Sequence, residues 1–180
     1  MKLNKYEVGK RYGKALFELA ETKQVLEDVF QDVQVLRQIF TEVPNLGDVL
    51  SNSKLAMTEK DQIIETLTSE FQGLLKQALF VIYRNQRMDD LLYIIADFEG
   101  RYYEKMGVLP VKVTTTVPLN KQQKEQLVTK LKTQFGYAQI ELTEAIDPTI
   151  LGGVVVETKN QVIDGSLKTR LNQIKKSLSK

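Results

Sequence analysis

The hydrophobic residues of this chain change their spacing near residue 107. Up to about Met106 they recur every three or four residues, which is the period of an amphipathic helix. After Gly107 they alternate with polar residues in short runs rich in β-branched side chains, which is typical of strands. We therefore predict a mainly α-helical protein with two domains, a helical bundle over residues 1–106 and a small α+β domain over residues 107–180.

The first domain is predicted to contain six helices, five of them substantial and one short. Their apolar stripes lie within residues 8–19, 25–43, 46–50, 63–71, 75–83 and 91–102. Pro44 is predicted to end the second helix, because proline has no N–H to donate. Thr58 is predicted to cap the fourth helix through its hydroxyl. Helices joined by such short connections are typical of a compact bundle.

Two helices of this bundle carry apolar or smooth surface beyond their main stripes. The first has a second stripe of Gly9, Gly13 and Phe17, although each glycine costs about 1 kcal/mol relative to alanine inside a helix. Either a neighbouring helix packs closely there, or a partner helix lies against the strip. The fifth helix is apolar almost all round, so it is the centre of the bundle, or one face meets another protein, or both.

The second domain is predicted to be a βαββ module followed by a helix. The order is a strand at 108–117, a helix from Asn120 to about Phe135, a strand at 139–146, a hairpin of 152–157 and 161–164, and a last helix capped by Ser166. Helices and strands in this arrangement belong to the α+β class.

Charge divides the chain at the same place. Residues 1–105 hold 14 basic and 17 acidic side chains, whereas residues 106–180 hold 11 basic and 6 acidic ones. Residues 165–180 contain five cations and no acid. Opposite charges on the two halves indicate two domains with different partners.

The side chains that usually perform catalysis are missing. The chain has no histidine and no cysteine, so it lacks the commonest general base, the commonest metal ligand and any thiol nucleophile. Asp164-Gly165-Ser166 is interpreted as a turn and helix cap, because a nucleophilic serine would need a base. The acidic pairs at 27–28 and 89–90 are interpreted as solvated first-turn residues, because neighbours on a helix point in different directions. We predict no catalytic residue, no metal site and no cofactor.

The basic tail from Lys168 to Lys180 allows a different function, a nucleic-acid-binding adaptor. Phosphate-binding surfaces need clustered cations and often add aromatic side chains on which bases stack. The tail has no aromatic residue, and its cations suit the C-terminal end of a helix, where the dipole favours them. A solvated or partner-facing helix is therefore the preferred interpretation, and the adaptor is the alternative.

The clearest motif lies in the second domain. Asp147-Pro148 is followed by Gly152-Gly153 and an apolar strand, and Asp164-Gly165-Ser166 then opens the basic helix. This combination closely resembles the carboxyl-terminal motif of the delta subunits of F-type ATP synthases and of their mitochondrial counterpart, the oligomycin-sensitivity-conferring protein. Weaker similarities extend over nearly the whole chain, at residues 12–17, 85–88 and 117–119. The hairpin turn at 159–161 departs from the Gly-Asp pair of many members.

The resemblance implies a non-catalytic stator subunit. In that family a six-helix amino-terminal bundle grips the amino-terminal helices of the alpha subunits of the catalytic head, and the carboxyl-terminal domain holds the b subunits of the peripheral stalk. The alpha-subunit helix is expected in a groove between the first and fifth helices, with these contacts: Gly9, Tyr12, Gly13, Phe17, Phe80, Val81 and Tyr83. The b subunits are expected on the last helix or on the 152–156 edge, with these contacts: Gly152, Gly153, Lys168, Arg170 and Lys175. The structural motif consists of Asp147, Pro148, Asp164, Gly165 and Ser166.

Any membrane association is expected to be indirect. The amino terminus has no apolar signal core, and the longest apolar run, residues 78–83, is far short of the roughly 20 residues that a spanning helix needs. The resemblance implies a place at the cytoplasmic face of a bacterial plasma membrane, as part of a complex that couples proton transport to ATP synthesis. The absence of a transit peptide favours a bacterial origin.

Overall fold

The computed structural model describes residues 4–52, 55–159 and 161–178. It separates into two units, one up to Tyr102 and the other from Tyr103 onward. The predicted mainly helical fold with a small carboxyl-terminal sheet is confirmed. No helix in the described ranges is both long enough and apolar enough to cross a membrane. Asn160 of the predicted hairpin turn and Lys180 of the basic tail lie outside the described residues.

Within the described residues, every regular element of the first unit is a helix. Its elements are α1 Lys5–Thr22, α2 Leu26–Glu42, α3 Leu46–Asn52, α4 Met57–Ser69, α5 Gly73–Arg84, a 3-10 turn at Met88–Asp90 and α6 from Leu91, which ends at Met106 beyond the unit boundary. Helix α5 packs against α1, α2 and α4, which explains why it is apolar almost all round. Its Leu75 and Leu79 are fully buried with Phe98 of α6.

Two local predictions in this unit are wrong. Thr58 does not cap α4, because the helix already begins at Met57, and the Glu59 carboxylate accepts a hydrogen bond from the Ala56 N–H at 3.0 Å instead. Asp90 is not a solvated acid, since only 1% of it is exposed. One carboxylate oxygen of Asp90 pairs with Arg87 at 3.2 Å, and the other is buried without a hydrogen-bond partner. The tertiary packing of the 3-10 turn overrides the sequence pattern here.

The second unit is built on a four-stranded sheet in the order β2-β1-β3-β4. The elements are β1 Val108–Thr115, α7 Lys121–Phe135, β2 Gln139–Ile146, a 3-10 turn at Pro148–Ile150, β3 Val154–Glu157, β4 Val162–Asp164 and α8 Leu167–Leu178. Strand β1 is parallel to β2 and antiparallel to β3, which forms the predicted hairpin with β4. The core of this unit joins the sheet to α7 through Val111, Val113, Leu131 and Val156. Asn120 caps α7 as predicted.

Candidate partner-binding surfaces

An apolar groove runs between α1 and α5 in the first unit. Its volume is about 240 Å³, and it is lined by Tyr12, Ala15, Leu16, Leu19, Leu74, Gln77, Ala78, Val81, Ile82 and Ile94. The upper walls are open, because Leu19 is 49% exposed and Val81 is 51% exposed. The floor consists of core residues such as Leu16 and Ile82, which are almost fully buried. A concave apolar surface bounded by two helices has the form of a site for the apolar face of a third helix.

The glycine strip of α1 lies elsewhere, against α6. A Cβ atom on Gly9 would lie 2.8 Å from the Tyr93 carbonyl oxygen, and one on Gly13 would lie 2.8 Å from the Ile94 carbonyl oxygen. Phe17 packs edge-on against Phe98, with ring centroids 6.1 Å apart. These three residues are therefore used in packing α1 on α6. This corrects the prediction that they form an open strip for a partner helix.

The three expected contacts on α5 lie in different environments. Val81 lines the groove, whereas Phe80 is half-buried and does not line it. Tyr83 is buried, and its hydroxyl donates a hydrogen bond of 2.8 Å to the Asp61 carboxylate of α4. Burial, together with the bond to Asp61 and its charge, raises the pKa of Tyr83 to about 12. Tyr83 therefore links α5 to α4, and of the seven expected contacts the structure places only Tyr12 and Val81 in the groove.

Sequence reasoning missed most of the groove lining. Leu19, Ala15 and Ala78 follow the apolar stripes of their helices, and stripe residues are normally interpreted as core. The detectable signal was the width of the two stripes, since α1 and α5 each carry apolar side chains beyond the arc that the core can cover.

In the second unit, Gly152 and Gly153 bring the turn before β3 close to the turn before α8. Leu151, Gly152 and Gly153 have φ angles of 65°, 149° and 81°. A Cβ atom on Gly152 would lie 2.8 Å from Cδ1 of Leu167, and one on Gly153 would collide with the Gly165 carbonyl oxygen. Strand β3 pairs with β1 on one side and β4 on the other, so residues 152–156 do not form a free edge. The two glycines are therefore required by the backbone of this turn, and their assignment as partner contacts stays a prediction, since Gly153 is exposed.

The acidic residues of the motif act as caps. The Asp147 carboxylate accepts a hydrogen bond from the Thr149 N–H at 2.9 Å. The Asp164 carboxylate accepts from the Ser166 N–H at 2.9 Å and from the Thr169 hydroxyl at 2.7 Å. These bonds, with a smaller contribution from the charge of Lys168, hold the pKa of both carboxyls below its ordinary value. The Ser166 hydroxyl accepts from the Thr169 N–H at 3.2 Å, so this serine caps α8 as predicted.

Helix α8 carries the remaining predicted contacts, Lys168, Arg170 and Lys175, on an exposed surface. Its apolar residues are exposed as well, with Leu171 at 55% and Ile174 at 56%. No group of three or more acidic, histidine or cysteine side chains that could hold a metal ion occurs within the described ranges. The candidate binding surface of this unit is therefore composed of cations and aliphatic side chains.

Comparisons with known proteins agree with one another. The sequence model of the family described as ATP synthase delta (OSCP) subunit matches residues 8–178. The chain is 45% identical to ATP synthase subunit delta of Enterococcus faecalis and 42% identical to that of Enterococcus hirae, in each case over 100% of both chains. It is 38% identical to the Latilactobacillus sakei subunit delta over the same full length.

A solved structure shares the fold. It is a chain of the cryo-EM structure of the Toxoplasma gondii mitochondrial ATP synthase hexamer, with a TM-score of 0.73 and 22% sequence identity. The match covers 96% of this chain and 97% of that one. At this identity the likeness concerns the fold.

Proposed function

This chain belongs to the ATP synthase delta (OSCP) subunit family, and on that premise we propose that it is a non-catalytic stator subunit of a proton-translocating F-type ATP synthase. Its task is to join the alpha subunits of the catalytic head to the b subunits of the peripheral stalk. A rotary motor does useful work only if the head is held against the torque of the central shaft. Holding requires affinity and stiffness, and it requires no reacting group.

The observation that carries this proposal is the apolar groove between α1 and α5. We assign it to the amino-terminal helix of an alpha subunit, with α1–α6 acting as one six-helix bundle. The exposed walls formed by Leu19 and Val81 are the apolar area that such a helix would remove from water. The floor is part of the core, so the groove is formed before the helix arrives, and little ordering cost opposes binding.

The second unit is assigned to the b subunits of the stalk. Its exposed surface on α8 combines aliphatic and basic side chains, which differs in kind from the apolar groove of the first unit. Two chemically different surfaces allow one chain to hold two different partners. As part of the complex the chain would lie at the cytoplasmic face of a bacterial plasma membrane without entering it.

The alternative, a nucleic-acid-binding adaptor, has less support. Helix α8 offers no aromatic side chain for base stacking. The carboxylates of Asp147 and Asp164, whose pKa values the charge of Lys168 helps to lower, would repel a phosphate backbone approaching the start of the helix. An adaptor would lose affinity steeply with salt, at a log slope of about 0.9 for each phosphate contact.

The groove assignment is tested by Val81→Glu. A carboxylate in the apolar wall would have to be desolvated beneath the bound helix, so affinity for a synthetic peptide of the cognate alpha-subunit amino terminus should fall at least about tenfold. Fluorescence anisotropy of the labelled peptide measures this. Val35→Glu is the matched control, because Val35 is 50% exposed on α2 and does not line the groove. Equal affinities of the two variants, with folding intact, would refute the assignment.

A further inference from the structure

Helix α8 is amphipathic, and its apolar side lies open. Every side chain from Arg170 to Ser177 is exposed, including the aliphatic ones. A helix of this length is only marginally stable in water when it stands alone, because most helical stability in proteins comes from packing an apolar face. Within the described ranges, Leu171 and Ile174 on this face are each more than half exposed. This face is therefore a candidate contact surface for a partner.

The spacing of the apolar residues specifies the shape of that partner. Leu167, Leu171 and Ile174 are separated by four and three residues, and Leu178 follows four residues later in the sequence. Spacings of four, three and four place these residues at alternating d and a positions of a heptad, which form the narrow seam of a coiled coil. The seam of α8 is defined here as Leu167, Leu171 and Ile174. A surface of this form fits a single helix lying alongside it.

The residues that flank the seam indicate the charge of the partner helix. In this heptad Lys168 and Lys175 occupy e positions, and Arg170 occupies a g position. Side chains at e and g reach across to the partner helix and decide which partners are accepted. Three cations and no acid at these positions oppose pairing of α8 with a second copy of itself. They favour a helix with acidic residues at its own e and g positions.

We propose that α8 binds an amphipathic partner helix by coiled-coil packing, with the α8 seam against the partner's apolar seam and the α8 cations against acidic flanks. This inference rests on the proposed function, which supplies the stalk as the partner, and it selects the α8 seam from the surfaces of the second unit.

The turn before β3, which contacts the start of α8, extends the apolar surface. Leu151 is 62% exposed in a left-handed conformation, directly before Gly152, whose backbone lies against Leu167. A helix of 12 residues spans fewer than two heptads, which is short for a stable coiled coil, because such structures normally need three or more. The additional apolar area of Leu151 lengthens the contact at the start of the seam.

An anionic membrane surface fits these features less well. Interfacial helices usually carry aromatic side chains on their apolar face, and α8 has none. Asp147 and Asp164, which interact electrostatically with Lys168, would face the lipid head groups with the wrong charge. The observations therefore favour a protein helix.

The test uses the full chain and two designed peptides of about three heptads. Both peptides have the same apolar a and d residues, and one has glutamate at e and g where the other has lysine. Nuclear magnetic resonance titration, which detects weak binding, should show that the chain prefers the acidic peptide at least about tenfold. Arg170→Glu/Lys175→Glu should reverse that preference. Lys121→Glu/Lys176→Glu, which makes the same change in net charge away from the seam flanks, should leave it unchanged.

Further variants and ligands test the apolar contact of α8 separately from its charge. Leu171→Asp should weaken binding of the acidic peptide by about 30-fold, as expected for a central apolar contact. Equal binding of the two peptides would overturn the proposal. Sedimentation of the chain with phosphatidylglycerol vesicles, or dimerisation of the chain alone through α8, would also overturn it. If a purified stalk fragment binds the wild type and Arg170→Glu/Lys175→Glu equally, the seam assignment is wrong and the stator function stands. If that fragment does not bind the wild type at all, the stator function is wrong.

Discussion

The two candidate surfaces differ in how they would recognise a partner. The α1–α5 groove is concave and apolar, and its floor is shared with the core of the first unit. Helix α8 is convex and basic, and it shares little of its surface with the core of the second unit. Shape complementarity would therefore dominate in the groove, and charge would select the partner on α8. A chain that binds two partners is more specific when a different physical interaction selects each of them.

Gly13→Leu in the first unit is expected to be the most damaging substitution. The new side chain would start with its Cβ 2.8 Å from the Ile94 carbonyl oxygen and would force α1 away from α6. We expect the free energy of unfolding to fall by about 3 kcal/mol, at the upper end for overpacking. Urea denaturation measures this, and head binding should fall with it, because Ile94 also lines the groove. Ala96→Leu, on the exposed side of α6, should change stability by less than about 0.5 kcal/mol. Equal effects would show that α1 and α6 are not closely packed.

Gly153→Ala should lower the stability of the second unit alone. The added methyl group would collide with the Gly165 carbonyl oxygen, and the φ angle of 81° is strained for alanine. A loss of about 2 kcal/mol is expected. Hydrogen exchange should show the loss in β3, β4 and α8, with the amides of α1–α5 unchanged. Faster exchange throughout both units would mean that the two surfaces are not independent.

The binding affinities of the two surfaces should depend differently on salt, so this prediction needs no mutation. Raising ionic strength from 0.1 M to 1 M shortens the Debye length from about 10 Å to about 3 Å. Stalk binding through α8 should weaken about tenfold, and alpha-peptide binding in the apolar groove should change less than about twofold. Titrations at both ionic strengths measure the two ratios. A groove that is as salt-sensitive as α8 would remove the distinction drawn between them.

The smallest effect concerns pH and the cap of α8. Because the folded-state pKa of Asp164 is lowered, its stabilising contribution is present above the ordinary carboxyl pKa and is lost as pH falls through the folded-state value. Asp164→Asn should therefore be less stable than the wild type at pH 7, and the difference should shrink as the pH is lowered toward 3. Thermal unfolding of both proteins across this range measures the difference. A difference independent of pH would mean that the charge of Asp164 contributes nothing to the cap.

Local features of the fold were predictable, because the residues that cause them are neighbours in sequence. Asn120 and Ser166 cap their helices with side chains that reach amides three residues ahead. The hairpin of β3 and β4 follows from two alternating runs with a short turn between them. The resemblance to a known family rested on the same short-range motif in the second unit.

Features that depend on long-range packing were not predictable. Asp90 is buried because α3 packs on the 3-10 turn, where Ser51 accepts a hydrogen bond from the Asp89 N–H at 3.1 Å. The position of the groove depends on which parts of two wide apolar stripes the other helices leave uncovered. Sequence alone therefore identified α1 and α5 as candidate helices, but it placed Gly9, Gly13 and Tyr83 on the wrong surface.

A stator subunit of the kind proposed must hold two partners at once through separate surfaces. Sedimentation velocity of the full chain with the alpha-subunit amino-terminal peptide and a purified stalk fragment, each labelled with a different chromophore, tests it most directly. We expect a single ternary complex that carries both labels, with the affinity for each partner unchanged by saturation with the other. Displacement of one partner by the other, or failure of the chain to bind either partner alone, would contradict the account.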